Sequence, residues 1–136
     1  MLDYATMRHV WCLLPRGEGH IKINFYLLVD QAVFQSCNYA LTLLGAEIAE
    51  PFVLPHGESV IIPTGVILNT EPEETPNLVF FVLPPPVAYP GVHVAAVPVQ
   101  KGEELLVQII NLTGYEYTIF SRGVIAQLVC FTQSDP

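Results

Sequence analysis

Nucleophilic chemistry in this chain would start from Ser36 with Cys37 or from Ser59 near His56, where an attacking oxygen or sulfur stands close to a second reactive group. Neither pair reads as nucleophile and base. Neighbouring positions on a strand point to opposite faces, and no orienting acid is evident beside either one. His9, His20, His56 and His93 lack the short spacing of metal ligands, so no metal site is expected; His56 reads as a loop residue. Cys12, Cys37 and Cys130 are odd in number and widely spaced. They read as buried thiols in a reducing compartment, with neither a disulfide framework nor a zinc site. Hydrolytic chemistry needs a placed carboxylate. The aspartates stand only at Asp3, Asp30 and Asp135, so the middle of the chain has none. No catalytic residue and no cofactor is expected.

The elements that would have to position such groups are strands. Tyr115–Phe120 and Val124–Phe131 are rich in β-branched and aromatic residues and flank the turn-like Ser121-Arg122-Gly123. Only Gln127 is polar in the second run, which therefore has to be covered on both faces. Earlier, Ile21–Val29 reads as a first body strand, Val33-Phe34 resumes it, and Asn38–Leu43 reads as a second strand. Ala46–Glu50 has some helical character, ended by Pro51. Phe52-Val53-Leu54, the turn Pro55-His56-Gly57-Glu58 and Ser59–Leu68 have the pattern of a hairpin, with a bulge at Pro63-Thr64-Gly65. Asn69–Asn77 is a polar loop, Leu78–Leu83 a strand, and Val87–Val99 short strands with corners. Leu105–Leu112 is a long strand, which makes the Asn111-Leu112-Thr113 triplet a strand end and not a glycosylation acceptor. Pro84-Pro85-Pro86 reads as a rigid corner, with a polyproline ligand for a partner as the alternative. Short strands punctuated by Pro and Gly indicate an all-β fold, a sandwich or jelly roll. Residues 1–19 are expected as an N-terminal arm, short helix or strand, with Trp11 packing it onto the body; 20–131 form the domain and 132–136 a tail.

Of 136 residues, 51% are hydrophobic and 13% charged, against roughly 25% charged in an average soluble domain. So little charge predicts apolar surface buried in an oligomer or a partner. The net charge is -8, and no permanent cation lies between Lys22 and Lys101. Phosphate backbones require clustered cations, so nucleic acid is not an expected partner. No run approaches the ~20 apolar residues of a membrane span and no basic-then-apolar leader opens the chain, so an intracellular location without membrane contact is expected.

Four of these segments, in order, resemble motifs of the trimeric dUTPase family. Asn38-Tyr39-Ala40-Leu41 is similar to its Gly-Tyr-Asp-Leu, and Pro55–Gly65 to its Pro-Gly-Gly to Val-Pro-Thr-Gly segment. Leu106–Thr113 resembles its strand ending Phe-Asn-x-Ser, and Val124–Leu128 its Ile-Ala-Gln-Leu. The resemblance spans about residues 20–131 and implies a jelly-roll-like β-barrel that trimerises around shared sites. In that family the sites split dUTP to dUMP and pyrophosphate with magnesium.

The residues that such chemistry uses are replaced here. Ala40 stands for the first-motif Asp, and Pro84-Pro85-Pro86-Val87 for Pro-Arg-Ser-Gly. Val97–Lys101 lack the water-activating Asp and the tyrosine, with Glu103 and Glu104 the nearest carboxylates, and Arg122-Gly123-Val124 replaces Gly-Asp-Arg. Tyr39, Ala40 and Gln127 are then vestigial positions of a nucleotide site. Gln127 is a phosphate-binding remnant or, more simply, an amide satisfying strand backbone, and Tyr39 is packing. The expectation is an inactive dUTPase-fold homotrimer that binds host or other proteins. Adenovirus early-region accessory proteins of dUTPase-like type are the nearest analogue, and the host cytoplasm or nucleus the location if the chain is viral. Its terminal Ser134-Asp135-Pro136 lacks the last hydrophobic residue of a PDZ ligand. The alternatives are a nucleotide-binding or hydrolysing member of the same superfamily with a relocated site, and a structural β-domain.

Overall fold

The computed structural model describes residues 7–16, 19–69, 78–83, 90–97 and 102–132. They form eleven strands: β1 (Arg8–Arg16), β2 (Gly19–Leu27), β3 (Val33–Cys37), β4 (Ala40–Leu43), β5 (Phe52–Leu54), β6 (Ser59–Leu68), β7 (Leu78–Leu83), β8 (Val92–Val97), β9 (Glu104–Asn111), β10 (Tyr117–Ile119) and β11 (Ala126–Thr132). Every pairing is antiparallel, and the chain is all-β, with no helix among the described residues. The strands lie in a five-stranded sheet, β1-β2-β6-β9-β8, a four-stranded sheet, β3-β4-β11-β7, and the two-stranded ribbon β10-β5.

The layers are cemented by one core. Alternation along β9 turns Leu105, Val107, Ile109 and Asn111 inward, as the period of a half-buried strand requires. Cys12, Ile23, Phe25 and Leu27 join them from the same sheet. Leu41, Leu43, Ala126, Leu128 and Cys130 meet them from the four-stranded sheet, and Leu54 and Ile119 from the ribbon. Burying a side chain such as Phe25, wholly inaccessible here, contributes about 2–3 kcal/mol. β11 sits between β4 and β7, with Ala126, Leu128 and Cys130 buried and Gln127 and Val129 half-buried.

Three local expectations are resolved or changed. Residues 8–16 take the strand alternative, paired with β2 along its whole length, and it is Cys12 and Val10 that pack on the core, not Trp11, which faces outward under the Lys22 ammonium at 4.3 Å. Residues 46–50 form only a turn, closed by Ile48 N–H to the Gly45 carbonyl. The turn at 55–58 forms, but it does not make a hairpin. β5 pairs with β10, and β6 with β2 and β9. The turn is clamped instead by Gly57 N–H to the Asn111 carbonyl and Asn111 N–H to the Glu58 carbonyl, which carries β6 onto the end of β9.

Asn111 is the polar knot of that corner. Wholly buried, it donates through Nδ2 to the carbonyls of Leu54 (2.9 Å) and Tyr115 (2.7 Å), and its Oδ1 accepts from Thr113 N–H (3.0 Å) and Oγ1 (2.8 Å). Beside it Gly91, at φ 99°, approaches so closely that a β-carbon would stand 2.9 Å from the Leu112 carbonyl oxygen. Replacing Asn111 by Ala removes four bonds and strands buried carbonyls. A loss of about 3 kcal/mol is expected in urea unfolding monitored by fluorescence; a loss below ~1 kcal/mol would show that the amide does not hold the corner.

Candidate functional site

The expected bulge in β6 is present. Ser59–Pro63 of β6 pair with β9, the register then shifts, and pairing with β9 resumes at Ile67 opposite Glu104, while Val66–Leu68 also pair with β2. Backbone released there needs other partners. Thr64 Oγ1 donates to the Leu105 carbonyl at 2.7 Å and accepts Val66 N–H at 3.2 Å. Gly65, in the left-handed region at φ 75°, donates its N–H to Glu104 Oε2 at 2.7 Å.

That bond fixes the Glu104 carboxyl beside Glu47. Glu47, on the turn after β4, shares a proton with it, and its carboxyl is pushed up to about 7 by the hydrogen bond to Glu104, then by burial and by the Glu104 charge. A β-carbon on Gly65 would touch Ala32, Val29 and Glu47; Val29 and Ala46, the residue before Glu47, line a first cleft of about 400 Å³ together with Asp30, Gln31 and Arg122. Arg122 has positive φ, 59°, in the turn between β10 and β11 and bonds through its N–H to the Gly45 carbonyl. Arg8 Nη1 donates to the Asp30 carbonyl at 3.0 Å. A carboxylic acid titrating near neutrality is a group that can give or take a proton at ordinary pH.

The second cleft, about 450 Å³, is lined by Pro90, Thr113, Tyr115 and Glu116. Tyr115 is 80% exposed, the highest value among the exposed large apolar side chains of the described residues, and Leu112 and Phe120, both more than half exposed, flank it in sequence. Thr113 Oγ1, whose one proton goes to Asn111 Oδ1, accepts from Tyr115 N–H, so the loop that presents the ring is fixed. Tyr117, two residues on, packs against the core, and burial raises the pKa of its hydroxyl.

The positions singled out from sequence scatter around these clefts. Tyr39 is half exposed at the β3–β4 turn, and Ala40, 6% exposed, pairs with Val129. Gln127 lies opposite Thr42 and Leu83, so it shares a face of the four-stranded sheet with Ala40. Pro84, Pro85 and Pro86, residues 98–101 and residues 133–136 lie outside the described residues. His56 Nδ1 accepts Gly114 N–H at 3.0 Å, and Ser59 Oγ accepts from Gln108 Nε2 at 3.4 Å, a placement for structure in both cases. Sequence reasoning missed Glu47, Asp30, Arg122 and Tyr115 as site residues. A usable signal existed only for Tyr115, an aromatic two residues beyond the strand-end Asn111-Leu112-Thr113 triplet. Among the described residues no three His, Cys, Asp or Glu side chains are grouped so as to hold a metal ion, and no helix is long and apolar enough to cross a membrane.

No protein-family model matches the chain, and no characterised protein matches it.

The Glu47–Glu104 proton has a sign that can be measured. The folded pKa, about 7, lies above the ordinary 4.5, so the folded form holds the extra proton. Its contribution to stability is complete below pH ~4.5 and is lost as pH rises through ~7. Glu47 is exposed, and solvent screening limits the effect to about 1 kcal/mol. E47Q, which keeps a donor towards Glu104, is expected to match the wild type in urea unfolding at pH 4.5 and to exceed it by about 1 kcal/mol at pH 8. Equal stabilities at pH 8 would show that the two carboxyls do not share a proton.

Proposed function

We propose that this protein is a dUTPase-like β-domain of jelly-roll type that works by binding other proteins and not by splitting nucleotides. The observation that carries the reading is Tyr115, an almost fully exposed ring on the rim of a cleft whose other walls include Pro90 and Glu116. Large aromatic side chains on fixed backbone, beside a concavity, are typical anchors of protein interfaces. A carboxylate at the rim of a chain with net charge -8 favours a partner that pairs an apolar side chain with a cation. Ala40 supports the absence of turnover, since a methyl group buried against β11 stands where the family resemblance places a carboxylate. On this reading the chain is an intracellular homotrimer, of the accessory type that viruses build on dUTPase scaffolds to engage host proteins.

A second reading has one specific observation in its favour. The Glu47–Glu104 pair beside the Asp30 and Arg122 cleft would serve a relocated nucleotide site within the same superfamily.

Calorimetric titration of the intact protein with dUTP and dUMP, each with magnesium, separates the two readings. No heat of binding and no pyrophosphate release is the expected result; micromolar binding abolished by E47Q would establish the relocated site. For the binding role, the double variant Y115S/F120S is expected to change stability by less than ~0.5 kcal/mol and to lose at least ten-fold in affinity for a captured partner. Unaltered partner affinity in a folded double variant would remove Tyr115 as the anchor. Light scattering on the same samples tests for three times the chain mass.

A further inference from the structure

The three cysteines, far apart in sequence, converge on one turn. Cys37 ends β3 and is exposed, and the Asn38-Tyr39 turn follows it. The Asn38 carbonyl accepts Leu13 N–H at 2.7 Å, and the Tyr39 carbonyl accepts Cys130 N–H at 2.9 Å. Successive peptide groups of a single turn therefore hold the backbone adjoining Cys12 and the backbone of Cys130. β1 and β11 belong to different sheets, yet their Cα atoms come within 8 Å. Both thiols are fully buried in the shared core, and they are hydrogen-bonded to each other. Two sulfurs in such contact, on strands at this separation, are within reach of a disulfide after small adjustment.

We propose that Cys12 and Cys130 form a reversible disulfide between the sheets when the protein meets a two-electron oxidant of the peroxide class. The Cys12 sulfur attacks one peroxide oxygen, the O–O bond breaks, and the departing hydroxide leaves as water with the thiol proton; Cys12 becomes a sulfenic acid. The Cys130 sulfur then attacks the Cys12 sulfur, the S–O bond breaks, and the hydroxyl leaves as a second water with the Cys130 proton. Two thiols lose two electrons, and one peroxide becomes two waters. Cys12 is the attacking group: the bond from Cys130 lowers its pKa, while that bond and burial raise that of Cys130. Access comes from topology. β1 is an edge strand with β2 as its one neighbour, and edge strands open before the interior does. Once oxidised, β1 is stapled to the opposite sheet, and the closed loop runs from residue 12 to residue 130, most of the chain.

The test uses the intact reduced protein and hydrogen peroxide, followed by capping with N-ethylmaleimide and trypsin digestion without reductant. Cleavage at Arg and Lys puts Cys12 on residues 9–16, Cys37 on 23–101 and Cys130 on 123–136. The expected product is a linked pair of peptides 9–16 and 123–136, lighter by two hydrogens. With it goes a rise in the thermal midpoint of roughly 5 °C or more, reversed by dithiothreitol. Cys37→Ser, at an exposed position, is expected to give the same link. Recovery of Cys12 and Cys130 as capped thiols while Cys37 alone is oxidised would overturn the proposal. So would a link that uses Cys37, or a 9–16 to 123–136 link that forms only in urea.

Discussion

A strand that slips register half-way along leaves peptide groups without a ladder in the driest part of a protein, and burying them unpaired would cost several kcal/mol. β6 is such a strand. It follows β9 up to Pro63 and meets it again at Ile67, where β2 lies on its other side, and the slip is repaired by Thr64, Glu104 and the left-handed Gly65. β6 is the strand that joins β1 and β2 to β9 and β8, with Ile67 paired to Tyr26 on one side and to Glu104 on the other. The repair also recruits a carboxylate, and that recruitment brings Glu47 to Glu104 as a proton-sharing partner.

The other organising device is the meeting of two sheets over one apolar core, with side chains rather than backbone bonds joining them. Such an interface is held by non-directional forces, so direction comes from a few polar ties. Asn111 gathers the end of β9, the end of β5 and the Tyr115 loop, and the Asn38-Tyr39 turn gathers β1 and β11. Each tie serves one further feature of the molecule. The first fixes the loop that presents Tyr115, and the second sets the two buried thiols against each other.

Much of the strand inventory was legible in the residues. Leu105–Leu112 is displaced by one residue from the observed β9, and Leu78–Leu83 coincides with β7. The bulge was legible because Pro63 cannot donate to a ladder and Gly65 accepts positive φ at little cost. The all-β class followed from punctuation by Pro and Gly. The partnering of strands was not legible: the 55–58 turn looks local, yet its competing bonds go to Asn111. The clefts were less legible still, since Glu47, Asp30 and Arg122 come from three separate turns with no common motif.

By itself the amino-acid order determined where the backbone extends, where it must bend, and that no aspartate lies between Asp30 and Asp135. Alternation, ring-locked φ and side-chain type act within a few residues and need no fold to be felt. Tertiary structure alone decided that β5 leaves β6 for β10, that Glu47 holds a proton near neutrality, and that Cys12 faces Cys130. Those outcomes depend on distances between segments far apart in the chain, which are set only when the whole core closes and buried groups compete for the partners then in reach.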